Sequence, residues 1–436
     1  MNFANFFVIF LTSILIFSSV NREHYGLYVI LLSLFAFAEL LMAGLDDSIV
    51  RFIKSRKNPD ECYSIIKFAI IYRLCIVLLF ACFFLVVNKL NLLSFLISDF
   101  DNISTEITAF FSLIILNGLI SSILSTASAV LNGFQFYERV ILFRFIKNLS
   151  YIFFVLILIG ITDNYFIYLI VNSFLIFALL IYVIFYIEKS DLNFQIKKIF
   201  ISSFKKSVIK NYIFTYTAPL TLSSLMSYSK NHLPTLVLGS TYSLEQVAVF
   251  SVLKNLFKSL HSLMSAFFNP MISKFNEMKS NVKYLESTIN SIFNSTFLIR
   301  FSISVILWLY VGHIFDLYNI EVNSQTNLIF KYLILEFILA NLIMCFGIYL
   351  RLETNTRKIF YASSIRFFVE ITLIFLFIEE FGAEMAAIIL LIGRLVETIA
   401  SYFLTKKDHA VNLSGTILVI FICIVAIEFS RLIQSG

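Results

Sequence analysis

Runs of about 20 apolar residues recur along almost the whole chain and restrict it to very few folds. Such a run crosses a bilayer as a helix, because lipid offers no other partner to the backbone N–H and C=O groups. Hydrophobic residues form 59% of the sequence and charged residues 14%, which excludes an ordinary soluble domain. We therefore predict an all-α integral membrane protein with about 12 transmembrane helices, or 13 if the last apolar run also spans. The predicted spans are 3–20, 26–48, 64–88, 108–131, 140–160, 165–187, 213–238, 246–270, 289–311, 327–350, 359–379 and 384–404, with a thirteenth candidate at 413–429.

Lys and Arg are distributed unevenly between the loops that join these spans. Twenty-one of them lie in one set of alternate loops, whereas the opposite loops and the C-terminal tail hold only Arg22, Lys89 and Arg431. Loops with an excess of Lys and Arg stay in the cytoplasm. We therefore expect a multi-pass protein with a cytoplasmic N-terminus. The same bias explains the net charge of +6, so no nucleic-acid partner is expected.

The first six spans recur, in length and spacing, as the next six. A shift of 222 residues places each of them on one of the second six. An even number of spans per half gives parallel repeats around a central cavity, the arrangement of transporters whose two halves rock around a substrate site. We predict an N-terminal six-helix bundle (1–190), a basic cytoplasmic linker (191–211), a C-terminal six-helix bundle (212–405), and a cytoplasmic turn with an extra transmembrane helix (406–436). Chance alignment of similar spans remains the alternative to duplication.

The second predicted span carries a family resemblance. After a short polar turn, Tyr25-Gly26-Leu27-Tyr28 opens the helix, which ends in Gly44-Leu45, with Arg51 a few residues on. At the matching place in the second half, Gly239 precedes a turn and Val247 to Phe250 open the next helix. In these residues, and in its length and span count, the chain resembles the Wzx-type O-antigen and polysaccharide flippases. These form the polysaccharide transporter branch of the multidrug/oligosaccharidyl-lipid/polysaccharide (MOP) exporter superfamily.

The resemblance implies a substrate and a setting. It implies movement of an undecaprenyl-diphosphate-linked glycan from the inner to the outer leaflet of a bacterial inner membrane, for O-antigen or capsule biosynthesis. A polysaccharide polymerase and a chain-length regulator are the protein partners that it implies, besides membrane lipid. The chain departs from the family at Asn21-Arg22, where Gly-Pro is usual, and at Pro234-Thr235, near an acidic-basic pair that is common in relatives.

A basic stripe interrupts the eighth span. Lys254, Lys258 and His261 follow at spacings of four and three, which places them on one helical face together with Ser251 and Ser265. Ionisable residues inside a membrane are expensive, so each one calls for a partner or a watery path. The stripe predicts a cationic cavity wall that binds a diphosphate. Pairing with acids on neighbouring helices is the alternative.

Further basic residues are candidates for substrate binding. Arg73 and Arg300, in the third and ninth spans, have no acid within four residues of their own span. A guanidinium in that position is suited to phosphate, and partners on other helices are the alternative. Lys230 lies among several Ser and Asn residues in the seventh span, and the nearby Pro234 predicts a bend there.

Acids inside the spans are candidates for ion coupling. Glu39 takes the repeat position of His261, so the two are expected to form a protonatable pair if the halves face each other, a hydrogen-bonded or neutral Glu39 being the alternative. Glu336 and Glu397 are the other candidates. Helical spacing predicts the local pairs Arg366 with Glu370 and Arg394 with Glu397, whereas Asp46 and Asp47 are expected to form a helix-end cluster with Arg51.

Motifs for other chemistries are missing from the sequence. It has no phosphate-binding glycine loop, HExxH, GxSxG or paired cysteines, so neither ATP hydrolysis, a metal nor another cofactor is expected. We expect a transporter that is driven by an ion gradient and has no catalytic residues. A membrane polysaccharide polymerase or glycosyltransferase remains the alternative from another class, and a drug exporter of the same superfamily fold is the second alternative.

Overall fold

A computed structural model describes most of the chain. The described residues are 2–42, 45–46, 49–50, 53, 59–95, 97, 100–189, 196–203, 205, 209–210, 217, 221–222, 226, 228, 231–268, 282–352 and 356–405. They form helices and connecting turns, without a β-strand in these ranges. The helices are α1 (Asn2–Ser19), α2 (Arg22–Met42), α3 (Pro59–Lys89), α4 (Phe100–Gly133), α5 (Tyr137–Leu158), α6 (Tyr165–Lys189), α7 (Ile196–Ile201), α8 (Leu233–Thr241), α9 (Leu244–Phe268), α10 (Val282–Leu309), α11 (Val311–Leu317), α12 (Ser324–Leu352) and α13 (Thr356–Thr405), with a 3-10 turn at Leu92–Phe95.

The predicted spans agree with these helices. Within the described residues, seven helices are long and apolar enough to cross a membrane, and they correspond to predicted spans two to six, nine and ten. The thirteenth candidate, 413–429, lies outside the described residues, as do 10 of the 21 residues of the predicted linker. The predicted domain bounds therefore stay a prediction.

A single glycine divides α13 where the sequence predicts a break between two spans. Gly382 has φ of 65° and ψ of −145°, a backbone conformation that side chains disfavour. A Cβ atom there would also lie 2.9 Å from the ring of Tyr242. Gly382 thus lets the chain leave one helix and begin the next between the predicted spans 359–379 and 384–404.

Asparagine side chains cap the N-termini of several helices. Asn21 Oδ1 accepts a hydrogen bond from the backbone N–H of Glu23 at 2.8 Å, and Asn164 Oδ1 accepts one from Phe166 at 2.9 Å. At α12, Asn323 Oδ1 accepts from the N–H of Thr326, whose hydroxyl accepts from the N–H of Asn323. These bonds satisfy N–H groups that the first turn of a helix leaves without partners.

The described residues form two compact units. The first unit extends to Val252 and includes Leu317–Asn319 and Ile378–Gly382, whereas the second contains Leu253–Asp316, Ile320–Phe377 and the residues from Ala383 onward. In the first unit, α4 packs against α3 and α6, α1 packs against α5, and α2 contacts α3, α4 and α8. In the second, α10 packs against α12.

An exposed polar cluster lies at the α1–α2 turn of the first unit. The Arg22 guanidinium forms an ion pair with Glu245 in the first turn of α9 and donates to the carbonyl oxygen of Asn319. Asn319 Nδ2 donates to the carbonyl oxygen of Ser18 at 2.9 Å. Arg22 therefore joins three segments that are distant in sequence, at a position where the family resemblance leads one to expect Gly-Pro.

Candidate functional site

The face of α9 that contains the basic stripe is polar throughout. From Val252 to Met264, every buried side chain is apolar and every side chain that is exposed or half-buried is polar. Lys258 and Ser262 are exposed, whereas Lys254, Asn255, Ser259 and His261 are half-buried.

The opposite pattern is found in α3, a helix of ordinary membrane type. Leu78, Leu79 and Phe83 expose 55%, 66% and 62% of their surface, as expected of side chains that face lipid tails. In α9 the apolar face is buried instead: Phe257 packs its ring against Phe330 and Phe337 of α12, at centroid distances of 5.4 and 6.1 Å. A polar face on a helix that the sequence predicts to span the membrane requires water or a polar ligand, because exposed amines are strongly disfavoured in lipid.

His261 connects the basic stripe to a buried chain of charges in the second unit. Its Nε2 lies 2.8 Å from Glu336 Oε2 on α12. The other carboxylate oxygen, Glu336 Oε1, accepts from Arg394 Nε of α13 at 2.7 Å and forms a second contact with Arg394 Nη2. Glu336 and Arg394 expose only 5% and 6% of their surface. Two guanidinium donors thus share one carboxylate oxygen, and hydrogen bonds between charged groups are the strong ones.

The chain of charges continues along α13. Glu397 Oε2 lies 3.3 Å from Arg394 Nη1 and 2.5 Å from Arg366 Nη1. Arg366 Nε donates to Glu370 Oε1 at 2.7 Å. Both predicted local pairs are thus confirmed, and Glu397 joins them into one network.

Gly393 makes room for this network. A Cβ atom at residue 393 would lie 2.2 Å from Glu370 Oε1 and 2.7 Å from Glu370 Cδ. These distances are shorter than van der Waals contact. The backbone at residue 393, after the break in α13, can therefore approach the Glu370 carboxylate, before the break, because residue 393 is glycine.

Arg300 of α10 completes the network from the other side of His261. Its Nη1 lies 3.2 Å from His261 Nδ1 and donates to the carbonyl oxygen of Phe337 at 2.9 Å. The guanidinium carbon also lies 4.7 Å from the centre of the Phe337 ring. Arg300 has no acid within four residues of its own span, and its partners therefore come from two other helices, α9 and α12.

The network is electrically balanced. It contains three guanidinium groups and three carboxylates, and the imidazole of His261 is the remaining polar member. Removal of one partner from a buried ion pair typically costs about 3–5 kcal/mol, because the other charge is left in a poor solvent. Because positive and negative charges are equal in number, the network can be buried inside a membrane domain. Burial of charged groups is nevertheless energetically unfavourable, which makes a functional role a hypothesis for these residues.

Arg73 occupies a separate site in the first unit. Its Nη2 donates to Asp46 Oδ1 at 2.5 Å, and its Nη1 donates to the carbonyl oxygen of Ser122 at 2.8 Å. The hydroxyl of Ser125 donates to the other oxygen of Asp46. Sequence spacing missed this pair, because Asp46 and Arg73 belong to different spans. Asp47 and Arg51, the other members of the predicted helix-end cluster, lie outside the described residues.

A cavity of about 210 Å³ adjoins this pair. Its wall consists of Phe35, Glu39, Met42, Asp46, Arg73, Gly118, Ser121, Ser122 and Ser125. Glu39 and Arg73, two of the predicted site residues, therefore line one cavity, whose polar atoms come mainly from acids and serine hydroxyls.

The structure brings some of the predicted site residues together. His261, Arg300, Glu336 and Glu397 belong to the network of the second unit, and Lys254 and Lys258 lie on the helix that contributes His261. Lys230 lies outside the described residues. Their proposed roles in binding and coupling stay predictions. Within the described ranges, no group of three or more His, Cys, Asp or Glu side chains is arranged to hold a metal ion.

Comparisons with known proteins agree with this architecture. A family profile described as Polysaccharide biosynthesis protein matches residues 1–276. No curated protein sequence is similar enough to match the chain.

Solved structures with a similar fold are transporters. A MATE-family multidrug resistance transporter of the MOP superfamily in an inward-facing conformation superposes with a TM-score of 0.66 at 15% identity, over 92% of this chain and 96% of the other. The lipid II flippase MurJ in an inward closed conformation gives 0.66 at 15% identity, over 99% and 98%. A MOP-superfamily transporter from Pyrococcus furiosus, described as having a binding pocket of reverse polarity, gives 0.56 at 12% identity, over 93% and 94%.

These findings confirm the predicted fold class, an all-α integral membrane protein. The profile covers more than half of the chain. The protein therefore belongs to the polysaccharide biosynthesis protein family and has the fold of the MOP-superfamily transporters.

Proposed function

We propose that the protein is a flippase that moves undecaprenyl-diphosphate-linked oligosaccharide repeat units from the inner to the outer leaflet of a bacterial inner membrane. The head group crosses along a cationic path by alternating access, while the polyprenyl tail stays in lipid. The pathway is the biosynthesis of O-antigen or capsule, and an ion gradient biases the direction. The N-terminus lies in the cytoplasm, as the loop charges indicate.

The observation that carries this proposal is the polar face of α9. Lys258 is exposed in a stretch of α9, residues 252–264, whose apolar side chains are all buried, so its amine is available to a polar ligand. Among the described residues, no acid forms an ion pair with Lys258. A diphosphate supplies several charged oxygens to such an amine, and neighbouring Ser259 and Ser262 add hydroxyl donors.

Two further observations favour a lipid-linked glycan. The family description is polysaccharide biosynthesis, and one of the neighbours with a similar fold is a lipid II flippase. A drug exporter with a MATE-type fold is the competing function. A cationic drug requires an anionic pocket, whereas Lys254, Lys258 and His261 present basic groups.

The proposal is tested by replacing Lys258. In a strain that lacks the chromosomal gene, lipid-linked repeat units are expected to accumulate in the inner leaflet, and the wild-type gene to restore surface polysaccharide. Lys258→Ala should reduce restoration at least tenfold at equal membrane abundance, because one contact between an amine and a phosphate is lost. Lys89→Ala, at an exposed lysine at the end of α3, is the matched control and should restore fully.

Two results would contradict the proposal. Full restoration of surface polysaccharide by Lys258→Ala would show that Lys258 does not bind the head group. A deletion strain that exports its repeat units but leaves them unpolymerised would indicate a polymerase, with which a flippase otherwise cooperates in the same pathway.

A further inference from the structure

The contacts of His261 determine which of its ring nitrogens carries hydrogen. A guanidinium donates hydrogen bonds and accepts none, so Nδ1 of His261 must present its lone pair to Arg300 Nη1, 3.2 Å away. The hydrogen therefore resides on Nε2, which donates to Glu336 Oε2 at 2.8 Å. His261 is held as the neutral imidazole, and its single lone pair is occupied by Arg300.

We propose that Nδ1 of His261 is the proton-binding site of the transporter and that a proton and Arg300 compete for the same lone pair. A proton from water that adds to Nδ1 leaves Nε2–H in place and raises the charge of the network by one. Nδ1–H and the guanidinium are then two donors of like charge, and Arg300 must withdraw. This inference rests on the proposed function, for which it names the coupling ion and its acceptor atom.

The groups around His261 define the competition. Arg300 of α10 and Arg394 of α13 oppose a positive imidazole, whereas Glu336 of α12 favours it. On its own helix, Lys258 lies one turn away and opposes it as well.

Proton binding has a structural effect. Arg300 loses its acceptor on α9 but keeps the carbonyl oxygen of Phe337 on α12. The proton thus releases α9, the helix with the basic face, from α10, while the contact between α10 and α12 remains.

The first test needs no glycan substrate. The chain has one tryptophan, Trp308, which is half-buried on the same helix as Arg300. We expect the emission of the purified protein in nanodiscs to show a transition as the pH is lowered. His261→Gln should abolish it, because the amide reproduces a donor and an acceptor but binds no proton. His313→Gln, at an exposed histidine on α11 five residues after the tryptophan in the sequence, is the control and should retain it.

Arg300→Gln provides a test in the opposite direction. Loss of the competing cation should move the transition to higher pH, since Nδ1 is freed and a repulsive charge is removed. A transition that survives in His261→Gln, or one that Arg300→Gln leaves in place or moves to lower pH, would overturn the competition.

Translocation then tests the coupling itself. In proteoliposomes with a defined undecaprenyl-diphosphate-linked sugar, the wild type should respond to an imposed pH gradient, and His261→Gln should lose that response. A response that persists in the variant, or one to sodium alone, would overturn the assignment of the proton. The two ideas fail separately: without any translocation the proposed function fails, while the tryptophan transition still decides whether His261 binds a proton.

Discussion

Arg73 and Arg300 are the buried arginines of the third span in each predicted half, and their surroundings differ in an instructive way. Each donates through Nη1 to a backbone carbonyl of the following span, Arg73 to Ser122 at 2.8 Å and Arg300 to Phe337 at 2.9 Å. The second contact is to a residue of the preceding predicted span. For Arg73 it is the carboxylate of Asp46, whereas for Arg300 it is the imidazole of His261.

The difference lies in the charge state of that second partner. Asp46 exposes 41% of its side chain and forms a simple ion pair with Arg73 beside a cavity. His261 is also hydrogen-bonded to Glu336, a buried residue whose carboxylate forms an ion pair with Arg394. An arrangement of helices that occurs twice thus supports a fixed ion pair in one half and a titratable group within a closed network in the other. Three comparisons of variants test this distinction.

The largest expected effect is that of Glu336→Ala. Loss of the carboxylate leaves Arg394 without its buried ion-pair partner and His261 without its acceptor, so we expect about 3–5 kcal/mol of lost stability. Asp46→Ala should cost less, about 1–3 kcal/mol, because the cavity lets water reach the freed guanidinium. Thermal unfolding midpoints of the purified proteins give the comparison, with Glu380→Ala at an exposed glutamate as the control. Equal losses for the two variants would show that burial does not distinguish the sites.

A smaller effect is expected of Gly393→Ala, which probes the network without removing a charge. The added methyl would collide with the Glu370 carboxylate, and overpacking of this kind typically costs about 1–3 kcal/mol. Gly312→Ala in α11 is the matched control, because a Cβ atom there meets nothing within 4 Å. In a helix that change should be neutral or stabilising. If both variants unfold at the wild-type temperature, Glu370 is not held as tightly as its contacts indicate.

The smallest effect is expected at the exposed pair of Arg22 and Glu245. Solvated ion pairs contribute about 0–1 kcal/mol, so Arg22→Ala should lower the unfolding midpoint only slightly. The charge reversal Arg22→Glu combined with Glu245→Arg should recover part of that loss, and the recovered part measures the pair itself. A loss as large as that of Glu336→Ala would mean that the α1–α2 turn governs the stability of the first unit.

The helices and the face of α9 could be predicted from the sequence because both depend on local periodicity. Apolar runs determine the spans, and a rotation of 100° per residue places Lys254, Lys258 and His261 on one side. The pair of Arg366 and Glu370 follows from the same local geometry. By contrast, Glu336 meets Arg394 across 58 residues and His261 across 75. No spacing rule reaches that far, because these contacts depend on how separate helices pack.

The order of these charges along the chain has a consequence for biosynthesis at the ribosome. Glu336 precedes Arg394 by 58 residues, so the carboxylate is synthesised before its guanidinium partner. Until α13 is in place Glu336 lacks that partner, and a single charge costs about 3 kcal/mol near the bilayer centre. Completion of α13 is the step that neutralises the buried carboxylate of Glu336.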